Sequence, residues 1–158
     1  MIVAGTGHRD LRDRDWIAAQ TEKALIDMGA LLVYTGMASG FDLLLAKTAW
    51  GLGIPFIAVK PWRGHKPRVA DQYDYNRALQ FAVEVIDVLP NTEYPGAWAY
   101  QKRNEYMVDN ADAVLGLLEA GKKGGTYNCL KYASGKMPMK VIDPLMREVW
   151  DIERSVQE

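Results

Sequence analysis

The sequence has few of the residues that build disulfide frameworks and metal centres, and it has no long hydrophobic run. Cys129 is its single cysteine, which excludes an intrachain disulfide and fits a reducing compartment. His8 and His65 are its two histidines, and no Cys/His spacing typical of a metal site surrounds them, so we expect no metal. No apolar stretch approaches the roughly 20 residues of a membrane-spanning helix, so we expect no membrane partner.

The charge of the chain is nearly balanced. A formal net charge of −1 excludes a bulk electrostatic attraction to nucleic acid, although it leaves room for a local basic patch. The first residues lack a basic region followed by a long apolar run, so we expect no signal peptide and a cytoplasmic protein. With 158 residues, 49% of them apolar, the chain has the size and apolar content of one domain, which we expect to span residues 1–158.

Short apolar runs alternate with segments of helical spacing along the chain. The apolar runs, rich in β-branched residues, predict strands near 2–4, 31–34, 55–59, 83–88, 113–117 and 140–142. The segments between and after them predict helices over 14–28, 42–52, 70–81, 97–110, 126–134 and 145–156. Near-continuous hydrophobicity in strands is typical of a parallel sheet covered on both faces. The order of elements therefore predicts an α/β, Rossmann-like, doubly wound and mostly parallel sheet with helices on both faces.

Three glycine-rich turns follow predicted strands or open predicted helices, at 5–9, 36–42 and 124–126. In an open α/β sheet, ligands bind outside the carboxyl ends of the strands. Glycine lets backbone N–H groups approach a ligand, and a helix N-terminus favours an anion. The three turns together therefore predict one crevice that binds a phosphate or a nucleotide.

Several side chains in the first two turns have both a functional and a structural interpretation. Arg9 either adds a charged fork for a phosphate or belongs to a tight turn. His8 is an acid, a base or a hydrogen-bond donor in the site, or else a structural donor in the turn. Ser39 caps a helix or binds a ligand oxygen, and Asp42 accepts from a ribose hydroxyl or stabilises the helix dipole.

Two further segments extend the predicted site. Arg103 and Asn104 lie in the predicted helix 97–110, where a charge run is either a solvated face or part of the crevice. Lys122 and Lys123 precede the third turn and would attract a phosphate there, unless that turn is a flexible surface loop. The predicted ligand-binding residues are Gly5, Thr6, Gly7, His8, Arg9, Gly36, Ser39, Gly40, Asp42, Arg103, Asn104, Gly124, Gly125 and Thr126.

A basic loop with one tryptophan follows the third predicted strand. It includes Trp62, Arg63, His65, Lys66 and Arg68, which offer phosphate contacts and a ring to stack on a base. The slightly acidic balance of the chain and the shortness of this segment argue against nucleic acid as the main partner. A nucleotide-like small molecule is thus the favoured partner and nucleic acid the less favoured one, while homo-oligomers formed through apolar helix faces stay open.

Together the motifs resemble the SLOG superfamily, a Rossmann-like group that includes LOG-type phosphoribohydrolases, DprA/Smf DNA-processing proteins and YpsA-like proteins. The likeness is greatest to the YpsA-like branch. That branch carries a T-G-H-R-type turn, an S-G-x-x-x-G-x-D-type turn, an N-R-N-x-x-M-V-type helix and a G-G-T turn. The corresponding segments here are 6–9, 35–42, 102–108 and 124–126, in the expected order and over nearly the whole chain.

The resemblance implies a nucleotide or nucleotide-derived ligand in the crevice, and we expect a sensor or binding protein that needs no cofactor. The alternative is an enzyme that hydrolyses the N-glycosidic bond of a nucleotide, as LOG-type proteins do with a P-G-G-x-G-T-x-x-E turn. Here Lys123 replaces the proline, and no glutamate follows the Gly-Thr pair at the required spacing, which leaves Asp42 or Glu105 as the candidate catalytic carboxylate. A DprA-like nucleic-acid-binding module is the least favoured alternative.

Overall fold

The computed structural model describes residues 1–153. The strands are β1 Ile2–Gly7, β2 Leu32–Thr35, β3 Phe56–Lys60, β4 Glu84–Asp87, β5 Ala113–Leu117, β6 Met139–Asp143 and β7 Glu148–Ile152. The helices are α1 Arg14–Asp27, α2 Phe41–Gly51, α3 Gln72–Phe81, α4 Trp98–Asp109 and α5 Gly125–Ala133, with a 3₁₀ turn at Val69–Asp71 before α3. No helix in this part of the chain is long and apolar enough to cross a membrane.

The strands form one seven-stranded sheet in the order β4-β3-β2-β1-β5-β6-β7. Each neighbouring pair is parallel except β6 and β7. From β1 the chain proceeds outward through β2, β3 and β4, then returns to the other side of β1 as β5. The loops after β1 and β5 therefore separate, which is the switch point where ligands bind in doubly wound sheets. The mostly parallel, Rossmann-like fold expected from the sequence is confirmed.

Helices cover both faces of the sheet because each has an apolar side. On one face α1, α2 and α3 contribute Ile17, Phe41 and Tyr75 to a continuous buried cluster. On the other face α4 and α5 contribute Met107 and Leu130 to a second cluster. Burying a large apolar side chain stabilises the fold by roughly 1.5–3 kcal/mol, so both layers are needed to hold the sheet.

Two glycines of β1 allow α2 to pack closely on the strand. A Cβ atom at Gly7 would lie 2.5 Å from Phe41 Cβ, and one at Gly5 would overlap the side chain of Leu45. Phe41 and Leu45 are fully buried, so neither side chain can move aside without opening the core. Helix–strand packing by itself is therefore sufficient reason for glycine at both positions.

The predicted helix over 145–156 is wrong in the part that the structure describes. Residues 148–152 form β7, which pairs antiparallel with β6. The Asp143 carboxylate shapes the hairpin by accepting hydrogen bonds from the N–H groups of Leu145 (2.9 Å) and Met146 (3.1 Å). The segment after this turn is rich in β-branched and aromatic residues, which favour a strand. Residues 154–156 of the predicted helix lie outside the described residues.

Candidate functional site

One cavity at the carboxyl edge of the sheet collects residues from all four predicted segments. Its volume of about 420 Å³ falls within the range of small-molecule sites. It lies where β1 ends and where α2, α4 and α5 approach each other. The predicted residues that line it are Thr6, Gly7, His8, Arg9, Asp42, Arg103, Asn104, Gly125 and Thr126.

The remaining predicted residues surround this cavity without lining it. Gly5 lies against α2, as described above. Gly40 has a positive φ of 87°, and a Cβ there would overlap the backbone of Arg9, so this glycine lets the first two turns touch. Ser39 Oγ accepts a hydrogen bond from the Arg68 N–H at 3.0 Å, which ties the second turn to the basic loop.

Three other candidates also have local explanations. Gly36 lies beneath the Arg103 side chain, where a Cβ would meet the guanidinium. Gly124 has a positive φ of 119°, the left-handed region that favours glycine, and it directly precedes α5. Glu105 accepts a hydrogen bond from Gln101 Nε2 at 3.2 Å and does not line the cavity. Asp42 is therefore the candidate carboxylate that the fold places in the cavity.

Asp42 lies in the first turn of α2 and is almost completely buried. Its Oδ2 atom accepts a hydrogen bond from the Ala38 N–H at 3.1 Å, while Oδ1 has no hydrogen-bond partner within the described residues. Burial raises the pKa of Asp42 from 3.8 to about 6, against the opposing effects of Arg103, the Ala38 N–H and Arg9. One oxygen of this buried carboxylate is therefore left without a hydrogen-bond donor among the described residues.

Arg103 is a buried guanidinium held by neutral groups. Its Nη1 donates to the carbonyl of Gly36, and its Nε donates to Asn104 Oδ1 at 2.8 Å. In residues 1–153 no carboxylate oxygen lies within 4.0 Å of it. Burial lowers the pKa of Arg103 below its ordinary value, although Asp42 opposes this effect. Asp42 compensates the positive charge of Arg103 only in part, and an anionic ligand in the cavity would complete that compensation.

Arg9 and Tyr100 form a second cationic element of the same cavity. The Arg9 guanidinium carbon lies 5.0 Å from the centroid of the Tyr100 ring, within cation–π range, and that of Arg103 lies 5.8 Å away. Both arginines therefore approach one aromatic ring. The sequence alone gave no sign of Tyr100, although its position one turn before Arg103 and Asn104 puts it on the same side of α4.

His8 is neutral in the geometry that the structure gives it. Its Nε2 accepts a hydrogen bond from the Glu119 N–H at 2.9 Å, which requires the proton to be on Nδ1. Burial and the charge of Lys122 lower the pKa of His8, against the weaker effects of Glu119 and Asp143. His8 therefore links the loops after β1 and β5 as a hydrogen-bond acceptor, whereas the sequence suggested a structural donor.

Two acidic residues behind the cavity have no sequence motif to identify them. Glu119 is buried, accepts a hydrogen bond from Arg12 Nε at 3.3 Å and forms ion pairs with Arg12 Nη2 at 3.2 Å and Lys122 Nζ at 3.6 Å. Asp143 Oδ2 accepts from the Ala120 N–H at 3.2 Å, while its Oδ1 holds the turn after β6. Both carboxylates fix the loop that leads from β5 to the lysines and glycines at the start of α5.

The basic loop does not offer the surface that its sequence indicated. Trp62 and His65 are buried and pack edge-on with ring centroids 5.0 Å apart, so neither ring is free to stack on a base. Tyr75 Oη donates to the His65 carbonyl at 2.9 Å, and burial lowers the pKa of His65 to about 3. Arg68 pairs with Asp10 at 2.7 Å. The Trp62 ring also packs against Tyr100, which lines the cavity, with centroids 5.4 Å apart, so the loop supports the cavity wall.

Cys129 occupies the position where the LOG-type turn carries its glutamate, three residues after Thr126. It lies on the buried side of α5, and burial raises the pKa of its thiol to about 11. It is therefore a packing residue and unsuited to acid–base work at neutral pH. Within residues 1–153, no group of three or more His, Cys, Asp or Glu side chains is arranged to hold a metal ion.

Comparison with known proteins identifies the fold more clearly than the biological role. No family model matches the chain. Over 68 residues, 37% of this chain and 39% of the relative, the sequence is 41% identical to the uncharacterized SPbeta prophage-derived protein YoqJ of Bacillus subtilis (strain 168). The chain thus spans well under half the length of this curated relative.

Solved structures match over a larger part of the chain. DNA processing protein A from Helicobacter pylori, solved for its single-stranded DNA binding, has a TM-score of 0.69 at 19% identity over 89% of this chain and 64% of its own. A molybdenum cofactor binding protein from Rippkaea orientalis has a TM-score of 0.59 at 18% identity over 92% of this chain and 78% of its own. These two structures and this chain share a Rossmann-like α/β fold.

Proposed function

We propose that this chain binds a nucleotide or a nucleotide-derived small molecule in the cavity between β1, α2, α4 and α5. The observation that carries the proposal is the placement of the buried Asp42 carboxylate in one cavity with the guanidinium groups of Arg9 and Arg103. A ligand that combines a phosphate with sugar hydroxyl groups would satisfy both kinds of group. The arginines would balance the charge of the phosphate, and Asp42 would accept a hydrogen bond from a sugar hydroxyl group.

The phosphate would lie at the start of α5. Gly125 and Thr126 begin this helix and line the cavity, and Lys123 lines it as well. Among the described residues, nothing lies within 4 Å of the position that a Cβ atom would take at Gly125. Free N–H groups at a helix N-terminus, an adjacent lysine and open space together suit a phosphate group.

Turnover is the second candidate, and the Asp42 carboxyl supports it. A pKa of about 6 suits a group that exchanges a proton near neutral pH. Against this, Cys129 stands in place of the LOG-type glutamate, and Glu105 does not line the cavity. Binding without turnover is therefore our main proposal, with N-glycosidic hydrolysis as its alternative. The YpsA-like branch is the part of the superfamily that we propose for this chain.

Titration calorimetry with AMP, adenosine and ribose 5-phosphate tests the proposal, with chromatography of the same mixtures for released adenine. We expect the two phosphates to bind, adenosine to bind more weakly, and no adenine to appear. Adenine release that Asp42→Asn abolishes would establish the hydrolase instead. Salt-dependent binding of a single-stranded oligonucleotide without AMP binding would favour the nucleic-acid alternative. Failure of all three small molecules to bind would overturn a site for this nucleotide class.

A further inference from the structure

The last strand of the sheet has an open edge with exposed apolar side chains. β7 pairs with β6 on one side, and among residues 1–153 no strand pairs with its other side. Val149, Trp150 and Ile152 are 39%, 53% and 44% exposed. An edge strand with free N–H and C=O groups and exposed apolar residues favours pairing with another strand.

The sheet face beside this edge is also incompletely covered. Trp150 and Ile152 lie on the same side of the sheet as Val141 and Met139, which they directly oppose on β6. A groove of about 340 Å³ lies there, lined by these residues and by Leu130 of α5. Because residues 148–152 form a strand instead of the predicted helix, no helix after α5 within the described chain covers this groove.

We propose that β7 pairs antiparallel with β7 of a second copy of this chain, with Trp150 opposite Trp150 of that copy. The two sheets would then join into one continuous sheet, related by a twofold axis that passes beside this residue. The two tryptophan rings would lie together over the junction, next to the grooves of both copies. Such an interface is self-complementary, as a twofold interface requires.

The charges of β7 and its flanking residues are compatible with this register. With Trp150 opposite itself, Glu148 lies opposite Ile152, Asp151 opposite Val149 and Glu153 opposite Arg147, so no acidic residue opposes another. Like charges directly opposite each other destabilise a strand pair.

Neighbouring registers are less favourable. A shift by one residue would oppose side chains that lie on different faces of the sheet, so the competing registers differ by two residues. A shift by two places Asp151 opposite itself or Trp150 opposite Glu148. The Trp150-centred register is therefore the one that separates the acidic residues and also pairs the two exposed rings.

Disulfide trapping tests the pairing and its register in the full chain. Directly opposite residues in an antiparallel pair lie about 4.5–5.5 Å apart at Cα, which a disulfide can span. Trp150→Cys should therefore give a covalent dimer on mild oxidation. Glu148→Cys should not, because in this register its copies are four residues apart along the strands, or about 13 Å. Cys129 is buried in both variants.

Mass measurement in solution completes the test. The wild-type chain should sediment as a dimer at tens of micromolar, and Trp150→Lys should sediment as a monomer, since it places two positive charges opposite each other. Trp50→Lys is the matched control, because Trp50 is 52% exposed on α2, and it should stay dimeric. Circular dichroism checks that each variant is folded. A monomeric wild type, a dimer that survives Trp150→Lys, or equal trapping at positions 148 and 150 would overturn the proposal.

Discussion

The Arg103 guanidinium rests directly on Gly36, and a side chain at position 36 would occupy its place. Arg103 Nη1 donates to the Gly36 carbonyl, and a Cβ at Gly36 would lie 2.6 Å from that same nitrogen. The glycine after β2 and the arginine of α4 are 67 residues apart in the chain. The contact connects the second glycine turn to the opposite wall of the cavity.

Valine substitutions at two glycines should separate crowding of Arg103 from direct obstruction of a ligand. We expect Gly36→Val to weaken nucleotide binding and to lower stability by about 1–3 kcal/mol, because the added atoms displace a buried, hydrogen-bonded guanidinium. Gly125→Val should block binding while changing stability by no more than about 0.5 kcal/mol, since its Cβ enters open space. Urea unfolding and AMP titration of both variants measure the two effects. Equal destabilisation by both valines would contradict this assignment.

Arg9 is the arginine whose removal should report on the phosphate alone. It lines the cavity beside Tyr100, whereas Arg103 also holds the backbone of Gly36. Loss of a charged hydrogen bond costs about 1.5–3 kcal/mol, so Arg9→Ala should weaken AMP binding roughly ten- to a hundredfold. Arg9→Lys should recover part of this loss, because an ammonium group lacks the bidentate geometry.

Adenosine binding and a surface arginine provide the controls for that measurement. Adenosine has no phosphate, so Arg9→Ala should change its affinity little. Arg63 is exposed in the loop after β3 and does not line the cavity, so Arg63→Ala should leave AMP binding unchanged. Equal losses for adenosine and AMP would mean that Arg9 supports the base or the fold, and the phosphate assignment would be wrong.

Most strands and helices could be predicted from the sequence because apolar spacing and glycine stops within each segment determine them. The apolar run that ends at Leu117 and the glycine after α1 mark their elements without reference to the rest of the chain. The helix predicted over 145–156 is wrong within the described residues because contacts with distant parts of the chain determine the conformation of this segment. Pairing of residues 148–152 with β6 and the hydrogen bonds of Asp143 decided the conformation of that segment, and neither follows from helical spacing.

The same distinction divides the candidate site. Glycine turns after strands indicated where the cavity lies, since strand ends of a parallel sheet share one edge. The hydrogen-bond partners of the individual side chains could not be predicted from the sequence. Ser39 accepts from an N–H group 29 residues away, and His8 accepts from one 111 residues away. Such contacts depend on how the loops fold over the sheet, so Glu119 and Tyr100 became visible only in three dimensions.

Asp143 should be important for stability although it is far from any motif. Its buried carboxylate accepts hydrogen bonds from the N–H groups of Ala120, Leu145 and Met146. We expect Asp143→Ala to lower the free energy of unfolding by about 2–4 kcal/mol and to weaken AMP binding, because the loop before α5 loses its anchor. Asp10→Ala, which removes an exposed partner of Arg68, should leave stability nearly unchanged. Similar losses in both variants, measured by urea unfolding, would contradict a structural role for Asp143.

The raised pKa of Asp42 should appear as a pH dependence of stability. The carboxyl ionises near 3.8 in the unfolded chain and near 6 in the folded one, because burial disfavours the charged form. Between these values the folded state holds a proton that the unfolded state has released, so stability falls as pH rises from about 4 to about 6 and then levels off. The size of this loss is about 3 kcal/mol.

Asp42→Asn removes the titrating group and keeps the shape of the side chain, so it isolates this effect. The difference in unfolding free energy between wild type and Asp42→Asn should shift by about 2.4 kcal/mol in favour of the variant from pH 4 to pH 7. Asp27→Asn is the control, since Asp27 is exposed and a lysine lowers the pKa of its carboxyl, so its titration falls below this window.

A bound ligand whose hydroxyl group donates a hydrogen bond to Asp42 should favour the ionised carboxylate and so lower the pKa of Asp42. The pH-dependent difference should then shrink in saturating AMP. If that difference is absent in the free protein, Asp42 is ionised throughout this range, and the acid–base role considered for it has no basis.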